Sequence, residues 1–138
     1  MISSIAQYWI DKLVDGSPVG KALSLSVEGA AIDRVTLAMP ISHDIMTTPG
    51  VMHGGMLATL IDTAGAAASA SGVIEEDKVT GGATTHLSVA YFVPARTDVV
   101  AIAAVVHRSR TSTMTDVAVS DSDGRLVARG QVTSRIFH

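Results

Sequence analysis

The stretch His53-Gly54-Gly55-Met56-Leu57-Ala58-Thr59-Leu60-Ile61-Asp62-Thr63-Ala64-Gly65-Ala66-Ala67-Ala68-Ser69-Ala70-Ser71-Gly72 decides how this chain is read. It holds no proline and many alanines, and Gly72 stands where a C-terminal cap belongs, which predicts a long helix over Gly54–Ser71. At about 100° per residue, Gly55, Ala58, Thr59, Gly65, Ala66 and Ser69 share the face of Asp62 and are all small. The opposite face carries Met56, Leu57, Leu60, Ala64, Ala67 and Ala68, which suit packing on a sheet. Asp62 is the one ionisable side chain between Asp44 and Glu75 apart from His53. An isolated buried carboxylate is costly, so it needs a partner, a proton or a chemical task. Glycine in a helix interior costs about 1 kcal/mol relative to alanine, so Gly65 marks a close approach.

Working outward, Ile2–Val14 reads as an amphipathic helix with Ile5, Tyr8, Trp9 and Leu13 on its apolar face, Ser3 or Ser4 as cap and Gly16 beyond its end. Two strands are expected at Ala22–Val27 and Ile32–Met39 across the turn Glu28-Gly29-Ala30, followed by a polar loop over Pro40–Met52. After the long helix the period changes to two. Thr80–Phe92 alternates Ala83, Thr85, Leu87, Val89 and Tyr91 against Thr84, His86, Ser88, Ala90 and Phe92. Val99–Val106 is apolar on both faces and reads as a fully buried strand; Thr111–Ser120 is a threonine-rich strand. Asp123-Gly124 signals a hairpin into a last strand, Arg125–Phe137. Strands in succession joined by short turns favour antiparallel pairing, so the expectation is an α+β domain spanning residues 1–138, with about six strands wrapped on one helix.

Composition narrows the function. The chain has 138 residues, a net charge of −3 and no cysteine, which removes disulfide scaffolds and thiol nucleophiles. Ten Lys and Arg residues dispersed along it argue against a nucleic-acid footprint. The longest uncharged runs, Ile45–Ile61 and Thr63–Ile74, fall short of the roughly 20 residues a spanning helix needs, and Met1–Asp15 lacks signal-peptide features. A cytoplasmic protein without membrane association is expected. The histidines His43, His86, His107 and His138 have no metal-ligand spacing, and no metal or cofactor is implied.

Two readings of the helix remain open at this level. Its small face packs internally, with Asp62 bonded to a neighbouring turn, or Asp62 floors a cleft that a ligand or second chain enters. His53-Gly54-Gly55 favours the second, because the first N–H groups of a helix lack internal partners and offer an oxyanion site. Gly54 and Asp62 lie about 12 Å apart along the helix, too far to act on one carbonyl, where each must come within about 3 Å. Two antiparallel copies of the helix, each presenting Gly54 to the other's Asp62, remove the difficulty and imply a homodimer.

Val51-Met52-His53-Gly54-Gly55-Met56-Leu57-Ala58-Thr59-Leu60-Ile61-Asp62-Thr63-Ala64 resembles the His-Gly-Gly…Asp segment of hotdog-fold acyl-CoA thioesterases of the phenylacetate-pathway (PaaI-like) group. The likeness continues through Leu87–Ala95, Val105–Arg110 and Asp123–Gly130, nearly the whole chain. It implies the hotdog fold, a dimer or dimer of dimers (homotetramer), and metal-free hydrolysis of an acyl-CoA substrate. Asp62 matches the carboxylate that serves as nucleophile or general base, Gly54 the oxyanion donor, and His53 the residue that shapes the loop. Gly55 belongs to the same substrate-facing turn, Thr47 stands where relatives have Asn or Gln, and Arg108 and Arg110 lie where relatives hold the CoA phosphates. Ala66, four residues after the carboxylate, favours the phenylacetate-type over the hydroxybenzoyl-type branch. The rival readings are a hotdog enoyl-CoA hydratase or dehydratase, which needs a histidine beside Asp62, and a non-catalytic acyl-CoA-binding module.

Overall fold

The computed structural model of the chain describes residues 1–138. Ser3 caps helix α1 (Ser4–Leu13), its hydroxyl accepting from Ala6 N–H at 3.1 Å and donating to Val73 C=O at 2.6 Å. The buried face of α1 is Ala6, Ile10 and Val14; Trp9 and Leu13 are half-buried and Tyr8 is exposed, a face rotated from the one expected. The first expected strand is also corrected. Ser17 is an N-cap and Pro18 fits the first turn, so Pro18–Ala22 is a short helix, α2. Strand β1 starts only at Ser26 (Ser26–Ala31), and the chain turns at Ile32-Asp33, where Asp33 takes a left-handed conformation (φ 65°). Gly29 marks a register shift within β1 rather than a turn.

Strand β2 (Arg34–Met39) leads into the loop, which contains a two-stranded ribbon, β3 (Met46–Thr48) with β4 (Val51–Met52), hinged at Pro49-Gly50. Helix α3 (Gly54–Ser71) follows, then β5 (Gly81–Tyr91), β6 (Val99–Arg108), β7 (Ser112–Asp121) and β8 (Leu126–Phe137). The large sheet is antiparallel throughout, in the order β1-β2-β6-β7-β8-β5. It wraps α3 as a hotdog fold, and Leu57, Leu60, Ile61, Ala64, Ala67 and Ala68 are buried against it.

Only one face of the sheet has a helix to cover it, which corrects the reading of β6 as buried on both sides. Val99, Ala101 and Ala103 point inward, whereas Val100, Ile102 and Val106 are exposed. Gly65 belongs to the buried side of α3, and Ser69, although it shares the face of Asp62, is buried as well. A Cβ on Gly65 would lie 2.6 Å from Val132 of β8, and Ser69 accepts a hydrogen bond from Thr113 at 2.7 Å. Gly65 therefore answers a strand of its own sheet; a side chain there would push helix and sheet apart.

Candidate active site

The N-terminal end of α3 leaves one donor unused. His53, extended at φ −62° and ψ 132°, caps the helix: its Nδ1 accepts from Gly55 N–H at 2.8 Å. An accepting ring nitrogen carries no proton, so the neutral ring bears its hydrogen on Nε2. A Cβ at Gly55 would fall 2.9 Å from this ring, so the cap requires the second glycine. Met56 and Leu57 N–H both donate to His53 C=O, at 2.9 and 3.3 Å, and His53 N–H donates to Ile45 C=O at 2.8 Å. Gly54 N–H alone has no acceptor within the chain. The two bonds received by His53 C=O polarise the peptide that carries this N–H, and the helix dipole adds positive potential there.

Tyr91 fixes the same glycine from the far end of β5. Its hydroxyl donates to Gly54 C=O at 2.7 Å, and a Cβ on Gly54 would stand 3.3 Å from its ring.

Asp62 is half-buried, on the open side of α3. Thr84 Oγ1 donates to Asp62 Oδ1 at 2.5 Å, so the carboxylate has a partner on β5 and a second oxygen to spare. The alternation of β5 puts Thr84 and Tyr91 on opposite faces, yet both reach α3. A register shift between Thr84 and His86 against β8 supplies the extra residue that turns Thr84 inward. Asp62 and Thr84 stand at one end of a cavity of about 400 Å³ whose other walls include Trp9, Leu13, Ala70, Val73 and Val79. No histidine of the same chain lines it.

The remaining predicted residues are spread out. Thr47 lies on β3, exposed, with its hydroxyl unbonded within the chain. Arg108 sits at the opposite end of α3: its Nε and Nη2 hold Asp33 Oδ1 at 2.9 and 2.8 Å, and Nη2 also donates to Ala68 C=O at 3.2 Å. Its guanidinium packs where a Cβ on Gly72 would be, 2.5 Å away, so Arg108 caps a helix C-terminus. Arg110 is exposed with its guanidinium unpaired; its C=O meets His138 Nε2 at 2.8 Å. No group of three His, Asp or Glu side chains is placed to hold a metal ion, and no helix is long and apolar enough to cross a membrane.

Residues 49–128, more than half of the chain, from the turn of the ribbon through α3 to the start of β8, match the model of the thioesterase superfamily. The chain belongs to the thioesterase superfamily. It is 34% identical over 138 residues to a candidate esterase of Halobacterium salinarum, covering 93% of this chain and 90% of that one. It is 25% identical over 115 residues to human acyl-coenzyme A thioesterase 13, covering 81% and 79% of the two chains. A thioesterase family protein of Silicibacter pomeroyi, 24% identical, shares the fold with a TM-score of 0.86 over 96% of this chain and 98% of that one. This thioesterase is accordingly a thioester hydrolase. Two of its site contacts were not legible beforehand. Tyr91 was visible only as a strand residue, and the bulge that presents Thr84 has no local signature in Gly81-Gly82-Ala83-Thr84-Thr85 beyond its paired glycines.

Proposed function

We propose that this thioesterase hydrolyses an acyl-CoA in the manner of the PaaI-like group, at sites shared between two protomers. Gly54 N–H holds the developing oxyanion of the thioester carbonyl. Asp62 of the other protomer, oriented by Thr84, takes a proton from water as its oxygen bonds to the carbonyl carbon. Collapse of the tetrahedral intermediate breaks the C–S bond, the proton passes to the CoA sulfur, and the free acid and thiol leave. The observation that carries this reading is the unpartnered Gly54 N–H, on the same helix as Asp62 but about 12 Å from it. His53 shapes the turn, and Gly55, whose N–H the cap consumes, lets substrate approach the backbone. Thr47 lies on the ribbon that leads into this turn and offers the carbonyl a hydroxyl. Arg110 supplies the free guanidinium for the CoA phosphates, while Arg108 keeps the helix end.

The free edge of β5 supports the shared site. It is a long, largely exposed terminal strand, with Leu87 and Tyr91, and Phe92 just beyond its end, open to solvent, and such an edge is a template for pairing. Antiparallel pairing of two copies about the midpoint, Leu87 and Ser88, sets Thr84 of one opposite Tyr91 of the other. Asp62 and Gly54, which those residues contact, are then drawn together across a two-fold axis. The outer face of β6 and β7, with Val100, Ile102, Val106 and Met114 exposed, suits a second contact that builds a dimer of dimers.

Thiol release from a panel of CoA thioesters tests the reading. The wild type releases CoA and Asp62→Asn does not, with an unchanged thermal melt; a variant that keeps the full rate removes Asp62 from the mechanism.

A further inference from the structure

The cavity beside Asp62 extends well beyond the reacting atoms, and its form limits what it can hold. It follows α3 from Asp62 past Ala66 and Ala70 to Val73, with Trp9 and Leu13 of α1 on one side and Val79 and the start of β5 on the other. Asp62 and Ala70 are about 12 Å apart along the helix. An extended chain advances about 1.2 Å per bond, from the 3.3–3.6 Å spanned by three backbone bonds, so that length takes about ten bonds. The volume leads to a similar figure: 400 Å³ at the roughly 30 Å³ of one water-sized group holds about a dozen of them. A single aromatic ring fills neither the length nor the volume.

We propose that this cavity is the acyl subsite, that it takes an unbranched aliphatic chain of about ten to twelve carbons, and that Trp9 is the side chain that sets its capacity. The proposal rests on the reading of Asp62 as the reacting carboxylate, since the carbonyl end of the substrate must lie there. Alanines on α3, with Gly81, Gly82 and Ala83 on β5, leave room along two walls. The third wall carries the largest side chain in the lining. Trp9 is held in place by the edge of Tyr8 at 5.3 Å between centroids and by Lys12, whose Nζ lies 5.5 Å from its ring. A wall fixed from outside restricts volume in a way a mobile side chain does not, and one methylene too many in a filled apolar pocket costs about 10- to 200-fold in kcat/KM.

Trp9 is the single tryptophan of the chain, so occupancy can be read without turnover. In titrations of the full-length protein with non-hydrolysable S-alkyl-CoA thioethers, the decyl and dodecyl compounds shift Trp9 emission; butyl-CoA and free CoA do not. In the hydrolytic assay, kcat/KM rises from butanoyl- to decanoyl- or dodecanoyl-CoA and falls for palmitoyl-CoA. Trp9→Ala raises the palmitoyl-to-decanoyl ratio at least tenfold, and Ala70→Leu lowers the dodecanoyl-to-butanoyl ratio by a similar factor. The second variant narrows the cavity without removing the α1 wall, so the subsite stays testable if Trp9→Ala fails to fold. Chain-length ratios that neither variant moves, or a wild type that prefers benzoyl- or phenylacetyl-CoA to dodecanoyl-CoA, overturn the proposal. An emission shift with dodecyl-CoA in a protein that hydrolyses no thioester upholds the subsite and rejects the mechanism above.

Discussion

The two ends of α3 face the same physical problem and solve it differently. At the C-terminal end, Ala68 C=O receives both Ser71 Oγ at 2.6 Å and Arg108 Nη2 at 3.2 Å, Asp33 N–H donates to Ser71 Oγ at 2.8 Å, and Asp33 balances the guanidinium. At the N-terminal end the cap, the carbonyl of His53 and Tyr91 account for every neighbouring group except Gly54 N–H. A helix end completed by its own chain is structural. One completed except for a single donor leaves that N–H free for an acceptor from outside the chain.

Removing the donor tests the contrast most severely. Proline is tolerated in the first turn of a helix, and the ψ of 132° at His53 already suits a residue before proline. Gly54→Pro deletes the N–H with little further change beyond a slight displacement of Tyr91, and kcat is expected to fall about 10²- to 10³-fold. A kcat within threefold of wild type would place the oxyanion donor elsewhere. Arg108→Ala is the complementary experiment at the other end: a loss of about 1–2 kcal/mol in denaturant unfolding, from an ion pair and a capping bond. If its main effect is instead a KM for the CoA thioester raised more than tenfold, the arginine binds phosphate as the family pattern suggests.

Tyr91→Phe sharpens the comparison at the open end. It removes the bond to Gly54 C=O while keeping the ring, and a loss of about 1 kcal/mol of positioning reads as a roughly fivefold drop in kcat. An unaltered kcat means that the ring alone holds the glycine. The smallest effect is expected at the β7–β8 turn, which resembles the closed end of α3. Asp121 accepts from Arg125 N–H at 2.9 Å and Asp123 N–H at 3.0 Å and pairs with the Arg125 guanidinium at 3.2 Å. The backbone bond from Arg125, followed by its side chain and the bond from Asp123, holds the carboxyl below the usual carboxylate range. A depressed folded-state pKa stabilises above the unfolded value of about 3.9 and is lost as pH falls through the folded one. Asp121→Asn should therefore lower stability slightly at neutral pH, with the difference from wild type vanishing in melts at strongly acidic pH.

The fold was largely legible because its two strongest signals are periodic. The prolineless run of small residues in α3 and the period-two segments after it each require one kind of element, and their order requires an antiparallel wrap. Errors fell where local rules compete. Ser17-Pro18 begins a helix within a segment whose later residues favour a strand, and Val99–Val106 looks buried on both faces although one face is open. In the site, the single acid in an uncharged helix drew attention to Asp62, and paired glycines to Gly54. Their supports were hidden because they depend on tertiary register. One extra residue in β5 decides that Thr84 faces Asp62, and Arg108 finds Asp33 across 75 positions of sequence.

The long edge of β5 has a genetic consequence. If each reaction centre borrows one half from either chain, a dimer of Asp62→Asn with Gly54→Pro carries one centre with both lesions and one with neither. Mixing two inactive proteins through reversible dissociation should then restore up to a quarter of the wild-type rate: half of the dimers are mixed at random exchange, and each holds a single intact centre. Damage in one copy of the gene can in this way be masked by different damage in another.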